Sequence, residues 1–249
     1  MHKFLVSFFI LATALVQASP VKTALAPDAD SPYTSQLHIA STFAMQDFVL
    51  DGNLEKDVWR RTQHVRFDTD WTGKRNFPEL ATEVASLWTE KFVYFAFRCK
   101  YSTLNVYEGE DSRKERWGLW ERDVVEVFLN PEPARVKHYY EFEVAPNNQW
   151  VDLEINLDKH PFNAAAWDSG FEHVTRIDAQ RNIWICEMRI PLSALKARLK
   201  TGEVWRINFF RADGQGDDAS RKFLCWSSVP ASKANFHTPT RFGTIRFVR

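Results

Sequence analysis

Short runs of alternating apolar and polar residues, separated by turn residues, fill most of this chain. Residues 81–88 alternate. Residues 92–99 put Val93, Phe95, Phe97 and Cys99 on one face and Phe92, Tyr94, Ala96 and Arg98 on the other, because strand side chains point alternately to opposite sides. Residues 123–129 form another such run, and residues 138–144 and 150–155 read as two hairpin arms joined by Ala-Pro-Asn-Asn-Gln. Residues 183–190, 204–211, 222–226 and 244–248 complete the set. Residues 191–199 alone read as a helix, opened by Pro191 and closed near Gly202, since proline suits a first helical turn and glycine an end. About ten strands with one short helix predict an all-β chain folded as an antiparallel β-sandwich.

The N-terminus breaks the pattern. Met1-His-Lys3 is short and positive, residues 4–16 are almost wholly apolar, and Val16-Gln-Ala18 offers small residues at the spacing a signal peptidase reads. The apolar run is too short to span a bilayer, which takes roughly 20 residues. Residues 1–18 are therefore expected to be a signal peptide and the protein to be secreted or periplasmic; a buried N-terminal helix is the structural alternative. Residues 19–40 are rich in Ala, Pro, Ser, Thr and Asp without a hydrophobic period, which predicts a flexible segment ahead of a domain at 41–249. No later run is long enough for a membrane span.

Charge removes further classes. Lysine plus arginine equals aspartate plus glutamate at 32 each, so no net field draws the chain onto nucleic acid or an anionic membrane. The Arg113-Lys-Glu-Arg116 cluster is interrupted by acid and reads as a solvated loop. Cys99, Cys186 and Cys225 fall in predicted strands. One disulfide with a leftover thiol and three buried free thiols both fit, the second being favoured.

Ten tryptophans are many for 249 residues. Most large aromatics in β-proteins pack in cores, and Trp59, Trp88, Trp184 and Trp205 sit in strand-like or capping positions. Trp117, Trp120, Trp167 and Phe236 lie in polar, turn-rich stretches instead. An exposed ring there is a platform for the apolar face of a pyranose, whose hydroxyls bond to polar neighbours. Glu141 and Glu143 share a strand face, as do Asp152 and Glu154, about 6.5 Å apart along the strand. An inverting glycosidase uses a similar separation, yet alternating acids also keep a sheet face soluble, and a working general acid needs burial. The histidines, His2, His38, His64, His138, His160, His173 and His237, show no zinc spacing.

Three segments carry a family resemblance: Leu50-Asp-Gly-Asn-Leu-Glu-Lys-Asp-Val-Trp59, Trp120-Glu-Arg-Asp-Val-Val-Glu-Val-Phe128, and Trp226-Ser-Ser-Val-Pro continuing to Asn235-Phe-His-Thr-Pro-Thr-Arg-Phe-Gly-Thr-Ile-Arg-Phe247. From about residue 45 to the C-terminus the chain resembles the family 9 carbohydrate-binding modules, relatives of DOMON-like domains. The resemblance implies an immunoglobulin- or jelly-roll-like sandwich that binds mono-, oligo- or polysaccharide in carbohydrate catabolism without catalytic residues. Members clamp the sugar between two aromatic rings, which correspond here to Trp120 and Phe236. The second ring is tryptophan in the best-known pattern, so Phe236 is a departure with a smaller face and no N–H. Glu126 matches a carboxylate that accepts hydrogen bonds from sugar hydroxyls, with an ion pair to Arg98 as its structural alternative. Glu143 stands near a place where the family can carry an arginine.

The resemblance also makes Asn208 a polar candidate, while Arg211 reads as a sheet-edge ion pair. His237 follows Phe236 and is read either as a rim residue or as a plain loop histidine. Family members often hold structural calcium, for which Asp213-Gly-Gln-Gly-Asp-Asp218 is the oxygen-rich loop, with an ordinary acidic turn as the alternative. The expected site is thus Trp120, Phe236, Glu126, Asn208 and His237. Two other readings stand beside it: a glycoside hydrolase using Glu141/Glu143 or Asp152/Glu154, and a haem b carrier in which Met45 or Met188 would serve as axial ligand.

Overall fold

Twelve strands account for the alternating segments in the computed structural model, which describes residues 31–109, 114–159 and 167–249. They are β1 (His38–Phe43), β2 (His64–Phe67), β3 (Thr82–Trp88), β4 (Phe92–Lys100), β5 (Val124–Asn130) and β6 (His138–Val144). After these come β7 (Trp150–Asn156), β8 (Glu172–Asp178), β9 (Ile183–Pro191), β10 (Val204–Asp213), β11 (Lys222–Cys225) and β12 (Gly243–Val248). All nine predicted strands are present within two residues of their expected ends. The proposed signal peptide, most of the proposed flexible segment, His2, Arg113 and His160 lie outside the described residues.

The strands join in the order β7-β6-β5-β10-β12-β1-β3-β4-β9-β8, with β11 added to β10 and β2 to β3. The sheet is mostly antiparallel, but β1 runs parallel to both of its neighbours, β12 and β3. That corrects the purely antiparallel expectation. It also corrects the boundary at residue 40, because β1 begins at His38 in the middle of the sheet and Tyr33 is already buried. Three strands were not foreseen. Two are short or polar (β1 and β2), and β8 is an edge strand, Glu-His-Val-Thr-Arg-Ile-Asp, whose exposed charges discourage further pairing.

The sheet curls. Phe95 and Phe97 of β4 each bring their rings to 5.8 Å from Phe209 of β10, although β12, β1 and β3 lie between these strands along the sheet. Curling puts Val125, Val127, Phe142, Phe209 and Trp205 into one core with Phe95, Phe97, Trp184 and Met188. A second apolar layer, including Phe128, Tyr139, Leu153 and Phe210, covers the other face of β5, β6, β7 and β10. These strands are therefore buried on both sides.

The predicted helix at 191–199 is absent. Pro191 is the last residue of β9, paired with Phe92, and tight turns follow. Lys196 takes φ 52° and Ala197 donates its N–H to the Leu192 carbonyl. Burial of Leu192 and Leu195 against the core outweighs the helical propensity of that short stretch. The α-helix among the described residues is a single turn, Asp57–Arg60. It sits in the first family-like segment and has a structural task. Buried Glu187 accepts N–H bonds from Asp51 (2.8 Å), Gly52 (2.7 Å) and the Trp59 indole (2.6 Å), and it pairs with Lys56 at 2.8 Å. Gly52 is required because its φ is +70° and a Cβ there would meet the Arg176 Cβ at 2.9 Å.

Candidate functional site

The acids that matter stand on β5 and β6. Glu126 lies directly opposite Glu143 and Phe210, and Glu141 lies opposite Phe128 and Leu153. Register therefore turns all three glutamates to the face away from the main core. Their carboxylate oxygens gather within 4.8 Å of one another, and all three side chains are buried. Among the described residues no N–H or O–H donor of another residue type reaches either oxygen of Glu143 or Oε2 of Glu141, and the two carboxyls lie close enough to share a proton.

Like charges so close in a dry place favour the protonated form. Burial, then the charge of Glu141, holds Glu126 well above the ordinary carboxylate range, with Arg221 opposing. Glu143 is raised by burial and then by Glu126 and Glu141. Burial raises Glu141 as well, against the influence of His237.

Above this acidic floor is a cavity of about 220 Å³, bounded by Glu126, Glu141, Phe128, Trp117, Trp120, Phe236 and His237. Trp120 is held in a 3-10 turn, Leu119–Glu121, entered through Gly118 at φ 80°. The turn is fixed from behind, because Arg221 donates to the Trp120 carbonyl. Asp123, the next acid, accepts N–H bonds from Asn105 (2.9 Å) and Gly214 (2.7 Å), and burial pushes its carboxyl up to about 6. Trp117 meets Trp120 edge-on at 5.0 Å and is 61 % exposed. Across the cavity, Phe236 stacks on Phe210 at 4.1 Å, and His237 Nδ1 lies 2.7 Å from the Tyr139 hydroxyl.

Four of the five expected site residues thus meet at one cavity: Trp120, Phe236, Glu126 and His237. Asn208 does not. It is buried, its amide donates to the Ser227 carbonyl and its oxygen accepts from the Ser227 and Phe209 N–H groups, so it braces β10 against the segment after β11. Trp167 packs at a tilt against Tyr140, ring centroids 4.7 Å apart, away from the cavity. Trp117 takes the place expected of it as an exposed ring, and Glu141 joins the floor.

Other expectations are redirected. Arg98 bonds Glu55 at 3.1 Å, so the cation acting on Glu126 is Arg221. Arg211 does pair with an acid, Asp213 at 3.0 Å, but inside the protein on central β10. That contact removes Asp213 from a calcium site. Asp217 caps Ser220 and Asp218 lies 3.7 Å from Arg221, so the three acids of this loop do not converge. Asp152 and Glu154 face the opposite side of β7, where Asp152 accepts from Ser169 and Glu154 bonds His138 at 2.8 Å. For haem, Met45 is exposed and Met188 is buried in the core. The histidine facing Met188, His173, is its cross-strand partner on the same side of the sheet, so the two cannot bind opposite faces of one macrocycle. Phe128, Leu153, Ala212 and Phe223 were not foreseen at the site; strand alternation gives their parity, but only register brings them together.

Comparison with known proteins agrees with this geometry. An extracellular protein of Arthroderma benhamiae is 26% identical over 195 residues, covering 74% of this chain and 85% of that protein. Endo-1,4-beta-xylanase A of Thermotoga neapolitana is 23% identical over 203 residues, covering 81% of this chain but 17% of the xylanase. A family 9 carbohydrate binding module from Caldicellulosiruptor kristjanssonii, solved with cellotriose, superposes with a TM-score of 0.61 at 17% identity, covering 85% of this chain and 94% of that one. The model of the carbohydrate family 9 binding domain-like family matches residues 50–249, and the chain belongs to that family.

Proposed function

We propose that the protein binds carbohydrate, seating a sugar ring against Trp120, Trp117 and Phe236 with its hydroxyls bonded to Glu126 and Glu141. The observation that carries this is the aromatic-walled cavity with a polar floor. A pyranose has an apolar face for the rings and an equatorial rim of hydroxyls for the carboxyls. At about 220 Å³ the cavity is below the roughly 300–1,000 Å³ of sites for drug-sized ligands, which suits one or two sugar units. The cellotriose held by the Caldicellulosiruptor module supports the same ligand class. Facing rings of β4 and β10 support a two-layer sandwich as the form of the curled sheet. The positive, apolar and small-residue order of residues 1–18 and the extracellular Arthroderma relative support secretion.

Titration of tryptophan fluorescence with glucose, cellobiose and xylobiose tests the reading. A saturable change is expected, weakened about fivefold or more in Trp120→Ala, since loss of one stacked ring removes about 1 kcal/mol beyond its buried area. Absence of any response from the folded protein would overturn it.

A hydrolase is the second reading, favoured by the burial that raises Glu126 and Glu141. Against it, the carboxyls crowd together on one floor, whereas a glycosidase flanks the scissile bond from two sides. Release of reducing sugar that disappears in Glu141→Gln would favour this second reading.

A further inference from the structure

We infer that the sugar this cavity selects is cationic, a 2-amino-2-deoxy sugar whose protonated amine bonds Glu126 and Glu141 on the cavity floor, with buried Glu143 beside them. This rests on the carbohydrate reading above and narrows it to a substrate class.

The floor holds more acceptor capacity than a neutral sugar can use. Three buried carboxyl groups stand within 4.8 Å of one another, and Glu143, wholly buried, has the Glu141 carboxyl for company and no N–H donor among the described residues. Glu141, at 3 % exposure, lines the cavity with its Oε2 likewise without an N–H donor. A hydroxyl brings no charge, so beside it the crowded carboxyls stay protonated and neutral. An ammonium brings three donors and a positive charge to Glu126 and Glu141, which can then give up the protons that burial otherwise makes them keep.

The walls favour the same ligand. Trp117, Trp120, Phe128 and Phe236 turn aromatic rings to the cavity, and ring faces attract cations electrostatically, more strongly when water is excluded. A pyranose stacked flat on a ring presents its equatorial substituents edge-on, and an equatorial 2-amino group is one of them. The ring can then stay in the aromatic wall while the amine reaches the acids. By the same logic a uronic acid brings no cation to ionise the floor, and N-acetylation, which removes the charge, removes the advantage.

The test is isothermal titration of the full folded chain at about pH 6, where such an amine is protonated. Three disaccharides are compared: diglucosamine, its N,N′-diacetyl form, and cellobiose. Diglucosamine should bind about tenfold or more tightly than cellobiose, and the diacetyl form should lose that advantage. In Glu143→Gln and, separately, Glu141→Gln, the ratio of diglucosamine to cellobiose affinity should fall to about threefold or less. Two variants are used so that one that fails to fold, judged by near-ultraviolet circular dichroism, leaves the other to decide.

Equal affinity for all three sugars, or a preference that survives both substitutions, overturns the inference and leaves the carbohydrate reading intact. Calcium chloride binding that depends on Glu143, with no preference for the amine, also overturns it and makes the floor a metal site. Failure of every sugar to bind the folded chain overturns both.

Discussion

Glu126, Glu141 and Glu143 keep protons in the folded protein that they lose in the unfolded chain, and stability should record this. Each is raised above the ordinary glutamate value of 4.5. The native state therefore binds more protons than the unfolded state above that pH, and their contribution falls as pH rises from 4.5 through the folded values. Glu143→Gln removes one such contribution. Urea unfolding should find this variant more stable than the parent by about 1 kcal/mol or more at about pH 8, with the gap closing toward about pH 4. His173 acts in the opposite sense. Burial lowers it to about 4 from 6.5, so its contribution is lost as pH falls through that window. Subtracting parent from variant separates the two, because His173 is common to both. A gap that does not change with pH would mean that Glu143 is not held protonated. The residue types of the site were legible in the sequence, and four of its five expected members line the cavity. The sequence could not weigh Asn208 against Glu141, because the choice depends on which strand lies beside each.

Elements carry the family-like segments more than single residues do. The Phe242-Gly243 pair at the start of β12 is an example. A Cβ on Gly243 would lie 2.7 Å from the Leu37 carbonyl oxygen and 2.7 Å from a Trp226 ring carbon, so the glycine permits β12, the residue ahead of β1 and the end of β11 to meet. Gly243→Ala should cost about 1–3 kcal/mol by overpacking, read from the denaturant midpoint at unchanged slope. A loss below a few tenths would show that Trp226 can swing aside. Strands were legible because β-branched and aromatic runs bounded by turns specify them even where both faces are buried. The segment at 191–199 was misread because its helical pattern is short, and a nine-residue stretch is marginal without tertiary support. The edge strand β8 was missed because its charges, which protect the edge, also disguise the strand.

Across the whole molecule, the three cysteines test whether the two apolar layers are closed. Cys99, Cys186 and Cys225 are all free and buried, and burial pushes the Cys99 and Cys225 thiols up to about 12. The thiolate is the reactive form, so the native protein should resist a thiol reagent such as DTNB for hours. All three should react at once in guanidinium. Fast reaction of one thiol in the native state would locate an opening in the sheet. Residues 97–99 and 184–186 make the point about scale: Cys99 and Cys186 are far apart in sequence, yet β4 and β9 set Cys99 against Trp184 and Cys186 against Phe97.

Most strands could be read from the chain alone, because alternation, turn residues and β-propensity act locally. The sequence also marked Trp120, Glu126, Phe236 and His237, whose segments carry the family pattern. Long-range packing, not local pattern, places β1 parallel at the centre and sets Arg221 rather than Arg98 to act on Glu126. Tertiary contacts alone brought Glu141 under the aromatic walls and Glu143 beside it. Those outcomes depend on register and curvature, which are fixed by contacts between segments that no local pattern connects.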